Sequence, residues 1–194
     1  NTRVLAVSQA TADWHIAHGL AVDSTCVLYN GVDLNEFQPR TKTGYLHREL
    51  DLPADARLLG AVGQIGMRKG LDVLLDAMPA IVKQFPDVHL LLAGERTSSK
   101  DEAIAFEEQL HAAAARPPLS GHVHFLGYRH DMPQLLNEMT LLIHAARQEP
   151  LGRVLLEATA SGVPVVATDV GGTREILDES SGAIVPPDNF TVLA

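Results

Sequence analysis

Cysteine is nearly missing. Cys26 is the only one in 194 residues, so no internal disulfide framework can brace the fold, and a cytoplasmic, reducing compartment is the expectation. Cys26 itself reads as a small buried hydrophobe. Basic charge is short as well: 15 Lys and Arg stand against 24 Asp and Glu, for a net charge of −9. That balance excludes nucleic acid as a partner held over a broad phosphate footprint, and any anion site must be local. No apolar run approaches the roughly 20 residues needed to cross a bilayer, and the first residues carry neither a basic leader nor a signal-like core. There is no initiator methionine, and the last stretch, Phe190 to Ala194, has no helix stop signal. The chain reads as a truncated piece of a longer protein.

What is present suits a soluble globular fold: 46% of residues are hydrophobic and 20% charged, enough for one α/β domain and a fragment of another. From about residue 57, short apolar runs alternate with amphipathic stretches, the pattern of repeated βα units on a parallel, doubly wound, Rossmann-like sheet. The expected strands are Leu58–Val62, His89–Ala93, Val123–Leu126, Leu141–Ala145, Pro164–Ala167 and Ala183–Val185, mostly unbroken apolar runs as buried parallel strands require. The strongest helix runs from Leu71 to Phe85, where Leu71, Leu74, Leu75, Met78, Ile81, Val82 and Phe85 recur at three- and four-residue spacing. Further helices are expected over 101–115, 131–138, 152–161 and 173–178. Before residue 40 the pattern differs: a strand Val4–Val7, a short helix Ala10–His18, a strand Thr25–Tyr29 and a turn at Asn30-Gly31-Val32-Asp33. A boundary near Pro39 therefore makes 1–39 the tail of a preceding domain with its linker, and 40–194 the domain proper, truncated at its end.

Three loops carry residues suited to chemistry. The segment Glu149-Pro150-Leu151-Gly152-Arg153-Val154-Leu155-Leu156-Glu157 places two carboxylates around a glycine turn and an apolar helical run. A helix starting near Gly152 aims free N–H groups and the positive end of its dipole at an anion such as a diphosphate. At about 1.5 Å per residue the carboxylates stand roughly 12 Å apart, comparable with the span from sugar to ribose in an extended sugar nucleotide. The second loop, Gly63-Gln64-Ile65-Gly66-Met67-Arg68-Lys69-Gly70, follows a strand and offers two cations to a diphosphate; read alone, it is equally a tight turn with exposed basic residues. The third, Asp169-Val170-Gly171-Gly172-Thr173-Arg174-Glu175, has paired glycines where the chain must turn closely. Thr173 there reads as a helix N-cap as readily as a ligand contact, and Glu175 as a first-turn acid. All three loops lie at the carboxyl edge of the expected sheet, where ligands of open α/β sheets bind.

Taken in order, Asn30-Gly31-Val32-Asp33 with Phe37 and Pro39, Val62-Gly63, Lys69-Gly70, Glu149 to Glu157, Ala160 to Ala167 and Gly171 to Glu175 resemble glycosyltransferase family 4 over nearly the whole chain. The resemblance implies the C-terminal, donor-binding half of a GT-B glycosyltransferase, one that transfers a sugar from a nucleoside diphosphate sugar with retention of configuration and without an obligatory metal or other cofactor. It assigns Glu149 to the donor sugar, Glu157 to the ribose, Lys69 to the leaving diphosphate, and the backbone of Leu151, Gly152 and Arg153 to the phosphates. Gly127-Tyr128-Arg129 is similar to the family's base-binding loop. One departure is Gln64, which stands where the family usually has arginine; Arg68, next to Lys69, is the candidate replacement. The implied partners are the nucleotide sugar and an unidentified sugar, lipid or small-molecule acceptor, with a peripheral membrane position open to the full-length protein. Because the acceptor half is missing, the isolated chain is expected to be inactive. A sugar-nucleotide epimerase and a non-catalytic nucleotide-binding module stay open as alternatives.

The remaining polar residues have plainer readings. Asp72, Asp76 and the acids of 101–108 read as solvated helix faces. His15 with His18, and His122 with His124, lack a third metal ligand at a recognisable spacing. His144 reads as a packed histidine at the end of a strand or as part of the cleft wall.

Overall fold

The computed structural model describes residues 3–178 and 180–194. A six-stranded, all-parallel sheet forms from β3 (Arg57–Val62), β4 (Val88–Ala93), β5 (Val123–Gly127), β6 (Leu141–His144), β7 (Val165–Thr168) and β8 (Gly182–Val185), in the order β5-β4-β3-β6-β7-β8. Each expected strand of this sheet is present within one or two residues. Two strands precede it: β1 (Val4–Ala6) and β2 (Thr25–Val27) form a separate parallel pair with Leu5 opposite Cys26.

Helices cover both faces, as the pleat dictates. Leu59, Ala61, Leu90 and Leu92 point to one side, into a core with α3 (Leu71–Gln84) and α4 (Asp101–Ala114). Leu58, Leu91, Ala93 and Leu142 point to the other, against α2 (Tyr45–Glu49), α5 (Met132–Glu138) and α6 (Arg153–Ala160). Pro86 does end α3, whose last helical residue is Gln84. A short α7 (Phe190–Leu193) lies against α3.

Several expectations need correction. The helix placed at 173–178 is instead a 3-10 turn, Gly171–Glu175, begun at the glycine pair. The N-terminal helix expected around Ala10–His18 is present one residue earlier, as α1 (Gln9–Ala17). Cys26 is exposed, because it alternates onto the open face of the β1–β2 pair. Asp72 is tied by two hydrogen bonds of 2.8 Å to Arg147, and Glu107 is tied at 2.8 Å to Arg96, so neither acid is merely solvated. His122 precedes β5 and stacks on His89, whose Nδ1 lies 3.1 Å from His124 Nε2. Among the described residues, no helix is long and apolar enough to cross a membrane.

Segment 40–44 is anchored by one buried acid. Glu138 is 2% exposed, and its carboxylate accepts from Thr43 N–H and Oγ at 2.6 Å and from Gly44 N–H at 3.0 Å. Burial works against its charge, but these hydrogen bonds outweigh burial and hold its pKa below the ordinary glutamate value. A depressed folded pKa gives stability that is complete above the unfolded value and is lost as pH falls through the folded one. Glu138→Gln turns an amide N–H toward the Gly44 donor and is expected to cost about 1–3 kcal/mol at neutral pH. Urea unfolding at pH 7 and pH 4 should show wild type losing more on acidification than the variant; parallel losses would refute this reading of Glu138.

Candidate active site

The strand order turns around between β3 and β6: β4 and β5 lie on one side, β7 and β8 on the other. The two connections leaving that switch point diverge and leave a crevice at the carboxyl ends. The loop after β3 tightens into a 3-10 turn at Met67–Lys69 before α3, and the loop after β6 is laced to it. Arg147 N–H donates to Arg68 O at 2.8 Å, and the Arg147 guanidinium reaches Met67 O at 2.8 Å, Asp72 at 2.8 Å and Asp188 at 2.6 Å. Nothing in the sequence singled out Arg147, because its partners lie 41 to 80 positions away.

This lacing brings Lys69 onto Glu149. The Lys69 ammonium lies 2.5 Å from Glu149 Oε2, and both side chains are mostly withdrawn from water, at 15% and 11% exposure. Burial by itself raises the Glu149 pKa, but His144 and Lys69 more than offset it and hold the carboxyl at about 2. His144, 4% exposed, stands 3.3 Å from the same oxygen, without hydrogen-bond geometry at its Nε2. Burial lowers the His144 pKa despite the Glu149 contact, so the ring is neutral at pH 7. Glu149 is therefore an ionised carboxylate held chiefly by Lys69, and it is unsuited to donate a proton near neutrality.

Helix α6 begins at Arg153 with Gly152 as its cap, in the left-handed region at φ +92°. A side chain at Gly152 would meet Leu155, with its Cβ 2.9 Å from Leu155 Cδ1. With no capping side chain, the first N–H groups of α6 face the crevice. There a cavity of about 350 Å³ is walled by Gly63, Lys69, Glu149, Leu151, Gly152 and Glu157, together with Arg153, Asn30 and Val7. Arg153 reaches Glu157 at 3.3 Å across one helical turn. Glu149, Glu157, Lys69 and the helix start thus share one enclosure. Asn30 and Val7 were not expected as wall residues, although the turn at Asn30 was marked by its composition.

A second cavity of about 300 Å³ adjoins the first through Val62 and Gly63 and is lined by Gln64, Gly94, Thr97, Tyr128, Arg129 and Met132. Gln64 donates to Thr97 Oγ1, across this cavity's wall. The Arg129 guanidinium is spent on Glu49 at 2.6 Å and on Asp131 at 2.7 and 2.8 Å, so it fixes the loop and has little left for a ligand. Arg68 does not join Lys69 in the inner cavity. Its guanidinium donates to Gln148 O at 3.0 Å and lies 3.6 Å from Glu149 on the outer side.

The third loop supports the site from behind. Thr173 is fully buried and donates to Val170 O at 2.8 Å, a role other than the N-cap. Glu175 caps a different helix: its carboxylate accepts from Gln9 and Ala10 N–H at 2.7 and 2.9 Å and from Tyr29 Oη at 2.9 Å. Ser8 Oγ donates to Pro150 O at 2.6 Å. Residues 8–29 are in this way fastened to the loop that carries Glu149. Among the described residues, no group of three His, Cys, Asp or Glu side chains is arranged to hold a metal ion.

Comparisons with known proteins identify the family and the fold. Residues 56–194 match the profile of the family described as glycosyl transferases group 1. A lipopolysaccharide core biosynthesis mannosyltransferase, LpsB of Rhizobium meliloti, is 32% identical over 193 residues, covering 98% of this chain and 52% of that protein. A phosphatidyl-myo-inositol mannosyltransferase of Mycobacterium tuberculosis is 33% identical over 191 residues, covering 95% of this chain and 45% of its own length. Among solved structures, HepE of Anabaena in complex with UDP-glucose superposes with a TM-score of 0.90 at 31% identity, over 100% of this chain and 52% of that one. The chain spans about half the length of the curated relatives it matches. Its α/β parallel-sheet fold is that of the C-terminal domain of GT-B glycosyltransferases.

Proposed function

The chain belongs to the group 1 glycosyl transferases, and on that premise we propose that it is the donor-binding half of a retaining, family 4 sugar transferase. The observation that carries this reading is the single enclosure in which Lys69, 2.5 Å from Glu149, shares walls with the start of α6 and with Glu157. A diphosphate resting there meets the Lys69 ammonium and the free N–H groups at Gly152. Both stabilise the charge that grows on the leaving group as the glycosidic bond breaks. Glu149 then serves the hydroxyls of the donor sugar, Glu157 those of the ribose, and the adjoining cavity at Tyr128 the base. Solved complexes of HepE with UDP and with UDP-glucose support a nucleotide sugar as the donor class. Segment 1–39 is the tail of an acceptor domain, and transfer needs that domain.

Thermal-shift screening of this chain against UDP, GDP, ADP and their sugars tests the donor assignment. At about a hundredfold excess over Kd, one nucleoside diphosphate should raise the Tm by roughly 5 °C or more, and Glu157→Ala should weaken that response. A flat response to the whole panel would overturn the assignment. Retention is read from the anomeric proton of the product formed by the full-length protein; inversion would refute it.

A further inference from the structure

His144 is a buried titratable group that the donor reading leaves unused. It ends β6, and its Nε2 is buried without a hydrogen-bond partner among the described residues. A ring nitrogen left unpaired in the interior costs free energy and calls for an explanation. That nitrogen stands 3.3 Å from Glu149 Oε2, the oxygen that the Lys69 ammonium approaches to 2.5 Å. The ring and the Lys69 side chain also border one small void of about 10 Å³ beside Gly63. Two nitrogens thus face one carboxylate oxygen, and only the Lys69 nitrogen is charged.

Burial is the largest influence on the His144 ring and keeps it neutral; the Lys69 and Arg68 charges act in the same direction, and Glu149 opposes them. A nucleotide sugar shifts this balance. Its diphosphate brings two negative charges to an enclosure whose closest pair, Lys69 and Glu149, sums to zero. The neighbours add little to offset them. Glu157 is a further carboxylate with Arg153 at 3.3 Å, and Gln64 is neutral and donates to Thr97. Arg68 lies 3.6 Å from Glu149 but is bonded to Gln148 O and is 43% exposed, so water and salt screen it. Once the Lys69 ammonium is shared with a phosphate, the Glu149 carboxylate loses part of its counter-charge where hydration cannot replace it. A proton on His144 restores what is lost. In the imidazolium both ring nitrogens carry N–H, so Nε2 faces Glu149 as a donor whichever tautomer came before. From 3.3 Å, a small turn of the ring completes a charge-assisted hydrogen bond.

We propose that His144 is a positioning residue that takes up one proton from solvent when the nucleotide sugar binds. The imidazolium then holds Glu149 toward the donor sugar while Lys69 turns its charge to the diphosphate. This role rests on the donor reading above. His144 forms no bond to the substrate, and the proton stays on the imidazole for as long as the diphosphate is bound. Uptake of a proton on binding makes the donor bind more tightly as pH falls. Between the titrations of His144 in the free and the bound protein the affinity changes by about tenfold per pH unit, and above both it is level.

Calorimetry on the 194-residue chain with UDP-glucose, GDP-mannose and ADP-glucose tests this. Intact nucleotide sugars are used because both phosphates are esterified and stay ionised, whereas the terminal phosphate of a nucleoside diphosphate itself titrates at about pH 6. The nucleotide sugar that binds is titrated at pH 6, 7 and 8 in two buffers of different ionisation enthalpy. Wild type is expected to take up about half a proton or more per bound molecule in this range, and to bind about tenfold more weakly per pH unit where uptake is largest. His144→Gln, which keeps a neutral amide beside Glu149, should abolish the uptake and level the affinity across the range. A second readout needs no variant to fold: the assigned Cε1–H resonance of His144 in wild type should titrate at higher pH with the nucleotide sugar than without it. A His144 resonance that stays neutral at pH 6 in the complex, or proton uptake unchanged in His144→Gln, would overturn the proposal. If one nucleotide sugar binds without proton uptake, the donor reading stands and only the role of His144 falls; if none of the three binds, both fall.

Discussion

Lys69→Ala is expected to lower kcat for sugar transfer by the full-length protein about 10²–10³-fold, the loss typical when one preorganised donor to a developing negative charge is removed. Donor KM should change less, because the ammonium matters most when charge has moved onto the diphosphate. Lys69 also has a structural partner, so stability must be followed in parallel. Glu149 is 11% exposed and loses its nearest cation in the variant, which leaves a buried carboxylate with a neutral His144 and the Arg68 guanidinium 3.6 Å away. Breaking a buried pair from one side costs about 3–5 kcal/mol.

The pH dependence separates the two roles. In wild type the folded Glu149 pKa of about 2 lies below its unfolded value, so its contribution is complete above the ordinary glutamate range and is lost as pH falls through that range toward 2. Without Lys69, burial is opposed by His144 and the more distant Arg68, the folded pKa rises, and the acid-side slope of Tm against pH flattens. Lys69→Arg keeps the charge and should restore the slope more fully than it restores kcat, since its fork does not reproduce the position of the ammonium. A variant that lost the slope and kept kcat would remove Lys69 from the reaction.

This pair also shows how far the residues speak for themselves. The six strands of the main sheet were legible because a parallel strand covered on both faces must be a largely unbroken apolar run, as in the strand expected at His89–Ala93 and found as Val88–Ala93. The helix start at Gly152 was legible because a glycine there leaves the first amides of α6 free. Neither signal says which side chains meet. Lys69 and Glu149 are 80 positions apart, and their contact depends on Arg147, whose own importance rests on Asp72 and Asp188. Arg68 was paired with Lys69 for the same reason. The two are adjacent in sequence, yet of the two only Lys69 lines the inner cavity, while Arg68 donates to Gln148 O. The docking of residues 8–29 through Glu175 was hidden too, since a first-turn acid and an acid that caps a distant helix are identical in sequence.

Gly171→Ala is the second large effect. The glycine pair reads from sequence only as a close turn, but the structure shows what is close. A Cβ on Gly171 would lie 1.7 Å from the carbonyl oxygen of Glu149, and one on Gly172 would lie 2.9 Å from that of Pro150. These are backbone atoms and cannot rotate away. Gly171 also sits at φ +50°, where a side chain costs about 1–2 kcal/mol, and overpacking adds roughly 1–3 kcal/mol. A loss near 3 kcal/mol corresponds to a Tm lower by about 6–12 °C in a chain of this size. Gly121→Ala is the control, since its φ is +86° but a Cβ there meets nothing within 4 Å; it carries the backbone strain alone and should fall by about 2–8 °C. The two variants differ further in function. Relief of the Gly171 clash must push the backbone of Glu149 away from it, and with that backbone go the carboxylate, the Lys69 contact and one wall of the inner cavity. Gly171→Ala should therefore lose nucleoside diphosphate stabilisation even at temperatures where it is fully folded, and Gly121→Ala should keep it. Equal Tm losses in the two variants, with ligand response intact in both, would mean that the loop behind Glu149 yields freely and does not hold the site in place.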